Sequence, residues 1–157
     1  MTKTKEKPDK IKKVAVYIHV PIEDEEEHSF QVNWYVKRID EKPNWKFAGI
    51  YIDKGPSMPD ILSQGMSEMI EDCKAGKIDI IIAQSIVHFG GSMHDCLSIV
   101  DYLLELKPPV GVLFDGEGID SLDANGYRIL CLHDHILRKE EFRKRRFIDK
   151  VERVIIR

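Results

Sequence analysis

The sequence predicts an α/β domain: a parallel, doubly wound sheet of four or more strands, flanked by helices and followed by a long C-terminal helix. Three observations lead there. Short apolar stretches rich in β-branched residues alternate along the chain with segments of helical periodicity, the order that builds βαβ units. The first stretch, Val14 to Val20, is apolar apart from His19 and the Tyr17 hydroxyl, as in a strand covered on both faces. From Asp120 onward one helical pattern continues to near Lys150 with no proline and a single glycine, Gly126.

In order, residues 1–11 read as a mobile leader, too polar to bury apolar area. The first strand stops at Pro21, which supplies no backbone N–H to a central ladder. Glu25 to about Ile39 is predicted helical, with Phe30, Trp34 and Val36 among its apolar positions, and Pro43-Asn44 ends it. Trp45 to Ile52 is the second strand, and Gly55-Pro56-Ser57 with Met58-Pro59 is a loop. A helix is predicted from about Asp60 to Lys74, with Ile61, Leu62, Met66, Met69, Ile70 and Cys73 on its apolar face and Gly76 as its C′ residue. Ile78 to Ala83 is a third strand suited to the centre of the sheet. The glycines Gly90-Gly91 lead into a helix from Met93 to Leu106, stopped by Pro108-Pro109, and Val110 to Phe114 is the fourth strand.

Asp120 or Ser121 is the expected cap of the last helix. Its apolar positions Ile129, Leu130, Leu132, Ile136, Leu137, Phe142, Phe147 and Ile148 extend beyond what the sheet can cover. A helix of some thirty residues is ~45 Å long, so its overhanging face needs a partner, most simply a second copy. The division expected is a leader (1–11), an α/β domain (12–118), and a long helix with a basic tail (119–157).

At 157 residues the chain is long enough for one domain with a substantial core. A net charge of −3 argues against a free-standing nucleic-acid binder, although local basic patches remain. Cys73, Cys96 and Cys131 are odd in number and lack C-x-x-C spacing, so they read as reduced thiols. With no apolar run of membrane-spanning length, the expectation is a cytoplasmic protein without membrane contact.

In open α/β sheets the chemistry lies beyond the carboxyl ends of the strands. There the first strand offers His19, Pro21 and Ile22, and no nucleophile. His19 and His88 end adjacent strands in such a fold and are candidates for acid–base or ligand work, but two histidines without a carboxylate or thiolate at fixed spacing do not define a metal site. Cys131-x-His133-x-His135 looks ligand-like, yet residues two apart on a helix face away from each other. No metal or cofactor is expected.

Several blocks resemble the catalytic domain of the serine recombinases, the resolvase/invertase family, and most of all the large recombinases of mobile elements in clostridia-like bacteria. They are Asn44 to Gly55, Met69 to Asp79, Asp95-Cys96-Leu97, Gly118-Ile119-Asp120-Ser121 and Asp123-Ala124-Asn125-Gly126, in the family's order within a match from Lys12 to about Arg145. The resemblance implies a parallel sheet with flanking helices and a long helix used for dimerisation.

The catalytic positions depart from the family pattern. Where the first strand of the family ends in Tyr-x-Arg-Val-Ser-Thr, with serine attacking a DNA phosphate and arginine steadying the developing charge, this chain has Tyr17-Ile18-His19-Val20-Pro21-Ile22. Where close relatives read Lys-Ser-Ile-Ser-Arg-Phe-Ala-Arg-Asn, it has Gln84-Ser85-Ile86-Val87-His88-Phe89-Gly90-Gly91-Ser92. The arginine expected before the second helix falls at Ser63. His19, Pro21, Ser63, Gln84, His88 and Gly91 are thus degenerate equivalents of a phosphoryl-transfer site. Phosphoryl transfer depends on positioning and charge stabilisation, so losing the nucleophile and the cations together removes the activity.

The basic cluster Arg138, Lys139, Arg143, Lys144, Arg145 and Arg146 lies where the family's helix crosses the DNA minor groove, and is a candidate for phosphate contact, diluted by Glu140, Glu141 and Asp149. The large domains that follow this helix in relatives do not lie within these 157 residues. The expected function is that of a non-catalytic dimerising or regulatory partner in DNA recombination, as a homodimer or paired through the C-terminal helix with an active recombinase, its own DNA binding weak. Two other readings are an active recombinase with a rearranged site, and an anion- or nucleotide-binding domain of flavodoxin-like shape using the Gly90-Gly91-Ser92 turn.

Overall fold

The computed structural model describes residues 10–20, 25–55 and 62–155. The leader up to residue 9, Pro21 and Ile22, the loop positions 56–59 and the expected helix start at Asp60 and Ile61 lie outside the described residues. Among the described residues nine elements follow one another: β1 (Lys12–Val20), α1 (Glu25–Asp40), β2 (Trp45–Lys54), α2 (Gln64–Lys74), β3 (Ile80–Ala83), α3 (Met93–Glu105), β4 (Gly111–Phe114), β5 (Ile119–Asp120) and α4 (Ala124–Ile155).

They form a five-stranded sheet in the order β2-β1-β3-β4-β5, parallel except where β5 runs against β4. Strand β1 lies inside the sheet, between β2 and β3, and both its faces are apolar. Val14, Val16 and Ile18 meet Tyr35 and Ile39 of α1 on one side. Ala15 and Tyr17 join Met66, Met69, Phe89, Cys96, Val100 and Leu130 in the larger core on the other. The crossover from β1 to β2 goes one way and that from β2 to β3 returns past β1, so helices lie on opposite faces, as right-handed crossovers require. The order also places a topological switch point between the carboxyl ends of β1 and β3, where open α/β sheets form their binding crevice.

Several details differ from the sequence expectations. In α1 the face toward the sheet is Val32, Tyr35 and Ile39, while Phe30 is 71% exposed and Trp34 lies beneath the Arg38 guanidinium, 4.8 Å from its ring centroid. The aromatic residues share a side, but the side that fits the β-branched surface of the sheet is the neighbouring one. In α2 the buried positions are Met66, Met69 and Cys73, whereas Leu62 precedes the helix and is exposed. Neither Asp120 nor Ser121 caps α4. Those residues extend the sheet: Ile119 and Asp120 form β5, and the Ser121 hydroxyl accepts from the Val112 N–H at 2.7 Å. The cap is Asp123, whose carboxylate accepts from the Asn125 N–H at 3.1 Å. Gly126 lets the helix start against the sheet, since a Cβ there would come within 2.1 Å of the Asp120 carbonyl oxygen.

Helix α4 docks through Gly126, Leu130 and the buried Asp134. At the last of these, the Arg138 Nε lies 3.1 Å from the Asp134 carboxylate, and the Arg138 guanidinium also contacts His94 at the start of α3. From residue 135 to 153 every side chain is exposed. The helix is about 48 Å long by its 32 residues, and the second half stands away from the body.

Candidate active-site pocket

A cavity of about 650 Å³ opens at the switch point, lined by residues from the ends of β1 and β2, the start of α2 and the turn before α3. Its most strongly organised group is a carboxylate that the sequence reading did not single out. Asp53 Oδ2 accepts from the Tyr17 hydroxyl at 2.7 Å, from the Ser63 hydroxyl, and from the Met66 N–H at 3.1 Å. Its Oδ1 accepts from the Gly65 N–H at 2.7 Å. Asp53 therefore caps α2 from a neighbouring strand, satisfying N–H groups that a helix start leaves open. Ser63 occupies the N-cap position, but makes no cap hydrogen bond because its hydroxyl is turned to Asp53. Gly65 is required by closeness: a Cβ would meet Asp53 Oδ1 and the Ile52 carbonyl oxygen, each at 2.8 Å. Burial alone would raise the Asp53 pKa. The hydrogen bonds from Ser63, Tyr17, Gly65 and Met66 outweigh it and hold the carboxyl below its usual value. The Tyr17 phenol is pushed well above its ordinary range by burial and by Asp53.

Of the residues expected at the site, His19, Ser63, His88 and Gly91 line this cavity, and Gln84 does not. Pro21 lies outside the described residues, one step beyond the end of β1. His19 Nε2 donates to the Gly55 carbonyl at 2.7 Å. His88 Nδ1 is 3.2 Å from the Ser85 hydroxyl, and the two imidazoles meet edge to face with ring centroids 6.1 Å apart. Burial, then the neighbouring His19, lowers the His88 pKa, partly offset by Glu117. Gly90 and Gly91 turn the chain with φ of 94° and 82°, and Ser92 caps α3 by accepting from the Asp95 N–H at 3.1 Å. Ser29 is exposed on α1, away from the cavity lining.

Among the described lining residues the ionised groups are Asp53, Glu68 and Lys54. The hydroxyls are those of Tyr17, Tyr51 and Ser63, each donating to a carboxylate. The DNA-contact candidates lie elsewhere: Arg143, Lys144, Arg145 and Arg146 are exposed on the free half of α4, with Arg146 5.8 Å from the centroid of the Phe142 ring, while Arg138 is engaged by Asp134. Among the described residues, no helix is long and apolar enough to cross a membrane.

The architecture has close counterparts among solved structures. The N-terminal catalytic domain of TP901-1 integrase superposes with a TM-score of 0.65 at 23% identity, covering 83% of this chain and 97% of that one. A resolvase family site-specific recombinase from Streptococcus pneumoniae superposes with a TM-score of 0.68 at 24% identity, covering 92% and 99%. At these identities the likeness shows the fold. No curated protein matches the sequence. The family assignment comes from the sequence itself, which matches the model "Resolvase, N terminal domain" over residues 14–151, from the second residue past the start of β1 nearly to the end of α4. The chain belongs to the resolvase family, as a form of its N-terminal domain.

Proposed function

We propose that this resolvase-family domain does not cleave DNA, and serves site-specific recombination as a non-catalytic partner that pairs through α4, with a second copy or with an active recombinase. The observation that carries the reading is the character of the cavity. Every hydroxyl among its described lining residues donates to a carboxylate, and two carboxylates face one lysine. A DNA phosphate entering there would meet two carboxylates against one lysine and, among the described lining residues, no arginine to stabilise the charge that develops in phosphoryl transfer. Proline at position 21 and histidines at 19 and 88 point the same way.

The exposed basic residues Arg143 to Arg146 on a helix that extends from the body suit a weak contact with the DNA backbone. The test is covalent trapping: the purified chain is incubated with supercoiled and linear DNA carrying recombination sites, quenched, and digested for mass spectrometry. The expected result is no protein–DNA adduct and no relaxation. A phosphoserine or phosphotyrosine link mapped to any residue of this chain would overturn the reading.

A further inference from the structure

We propose that His19 and His88 form a two-imidazole site for a divalent transition-metal ion of the zinc, nickel or copper class, clipping the end of β1 to the turn before α3. The inference is independent of whether the domain cleaves DNA. An ion about 2.0–2.1 Å from a ring nitrogen sits ~3.2 Å from that ring's centroid, so two rings on one ion have centroids ~5.2 Å apart at a tetrahedral angle and ~6.4 Å apart in line. The observed separation of 6.1 Å falls inside that interval.

Each ring also has one nitrogen already held by a protein oxygen, the arrangement that orients metal-binding imidazoles. His19 Nε2 must carry its proton, because the Gly55 carbonyl can only accept, and this leaves the lone pair on Nδ1. His88 is held at Nδ1 by Ser85 Oγ, leaving Nε2 as its remaining nitrogen. Asp53 and Glu68 line the same cavity and reduce the cost of bringing in a cation. No third His, Cys, Asp or Glu completes a ligand set among the described residues, so water in the cavity takes the other positions and the affinity is moderate. Imidazole nitrogens select transition metals over magnesium and calcium. Of the other described histidines, His133 and His135 are exposed on α4, His94 is engaged by Arg138, and His28 lies on α1, outside the cavity lining.

The experiment is calorimetric titration of the chelator-stripped full chain with zinc and with nickel at neutral pH, using magnesium as the control. One site per chain is expected in the micromolar range, absent for magnesium. His19→Gln, which keeps an amide N–H for Gly55, and His88→Ala should each remove it, and Ser85→Ala should weaken it about tenfold through the lost orientation. A His133→Ala, His135→Ala double variant should bind as the unaltered chain does. Copper bound to the unaltered chain should show coupling to two imidazole nitrogens by electron paramagnetic resonance, a readout that needs no variant to fold. No zinc or nickel binding at ~100 μM metal, binding that survives His19→Gln and His88→Ala, or a copper spectrum without imidazole nitrogen would each overturn the proposal.

Discussion

Asp53 shows how one side chain can hold a strand end, a helix start and a buried phenol together. Its Oδ2 faces three donors, from Tyr17, Ser63 and Met66. In Asp53→Asn an amide placed there would confront them with further N–H groups, while the opposite flip would turn the amide on the Gly65 N–H. The expected loss is about 2–3 kcal/mol, since buried donors are left unmatched, read from the urea midpoint at constant slope. The pH dependence follows from the same contacts. A carboxyl held below its unfolded value, ~3.9, contributes stability that is fully present above that pH and is lost as pH falls through the lower folded value. Denaturation midpoints measured from pH 6 down to about pH 2 should therefore converge for the unaltered chain and Asp53→Asn. At position 21 the expectation is negative: Pro21→Ser alone restores no DNA adduct, because His19, Gln84, His88 and Gly91 still lack cations for the phosphate. Cleavage by that single variant, detected as nicked plasmid, would show that the histidines do replace arginine.

At the scale of elements, the contact between α4 and β5 turns on Gly126. Replacing an interior helix glycine by alanine ordinarily favours the helix by up to ~1 kcal/mol. Here the added methyl group meets the Asp120 carbonyl oxygen at 2.1 Å, and backbone cannot yield as a flexible side chain would. Gly126→Ala should therefore destabilise the domain by about 1–3 kcal/mol, and calorimetric melting of the variant should show the drop. Gly126 appeared in the sequence as an interruption of a helical pattern and as the end of the Asp123-Ala124-Asn125-Gly126 block, but its crowding did not, because the strand beside it is two residues long and has no periodicity to read. Long or fully buried elements were legible: Val14 to Val20 shows its double burial in composition, and Met66, Met69 and Cys73 show theirs in spacing. The face of α1 was not, because the large aromatic residues at 30 and 34 suggest burial more strongly than Tyr35 and Ile39, which the sheet actually covers. The cavity was half legible. His19 and His88 follow from strand ends, whereas Asp53 would have emerged only by applying the same strand-end rule to β2, where a carboxylate closes the strand one residue before Lys54.

For the whole molecule, the question is what α4 does once it leaves the body. Leu137 is 44% exposed, Phe142 63% and Phe147 69%, and Ile148 and Val151 are also exposed on the same free segment. Beside Ile136 and Leu137 an apolar groove of about 390 Å³ runs along Ile86, Val87 and Met93. A pairing that covers these side chains gains roughly 1.5–3 kcal/mol for each one fully buried. Set against an association cost of about 4–15 kcal/mol, several such residues on each of two copies suffice for micromolar dimers. Charge sets the direction. Arg143 to Arg146 repel in a parallel match, while an antiparallel one can bring them toward Glu140, Glu141 and Asp149 of the second copy. The dimer expected is therefore antiparallel or crossed, weakened by salt where the charges pair, and lost when the chain is cut after Lys139. The body retains Leu130, Asp134 and Arg138 after that cut, so its circular dichroism and melting should remain those of a folded domain. Sedimentation equilibrium of both lengths across ~1–100 μM reads the outcome: a full-length chain that stays monomeric throughout would rule out self-pairing, and leave the exposed face of α4 to a different recombinase chain.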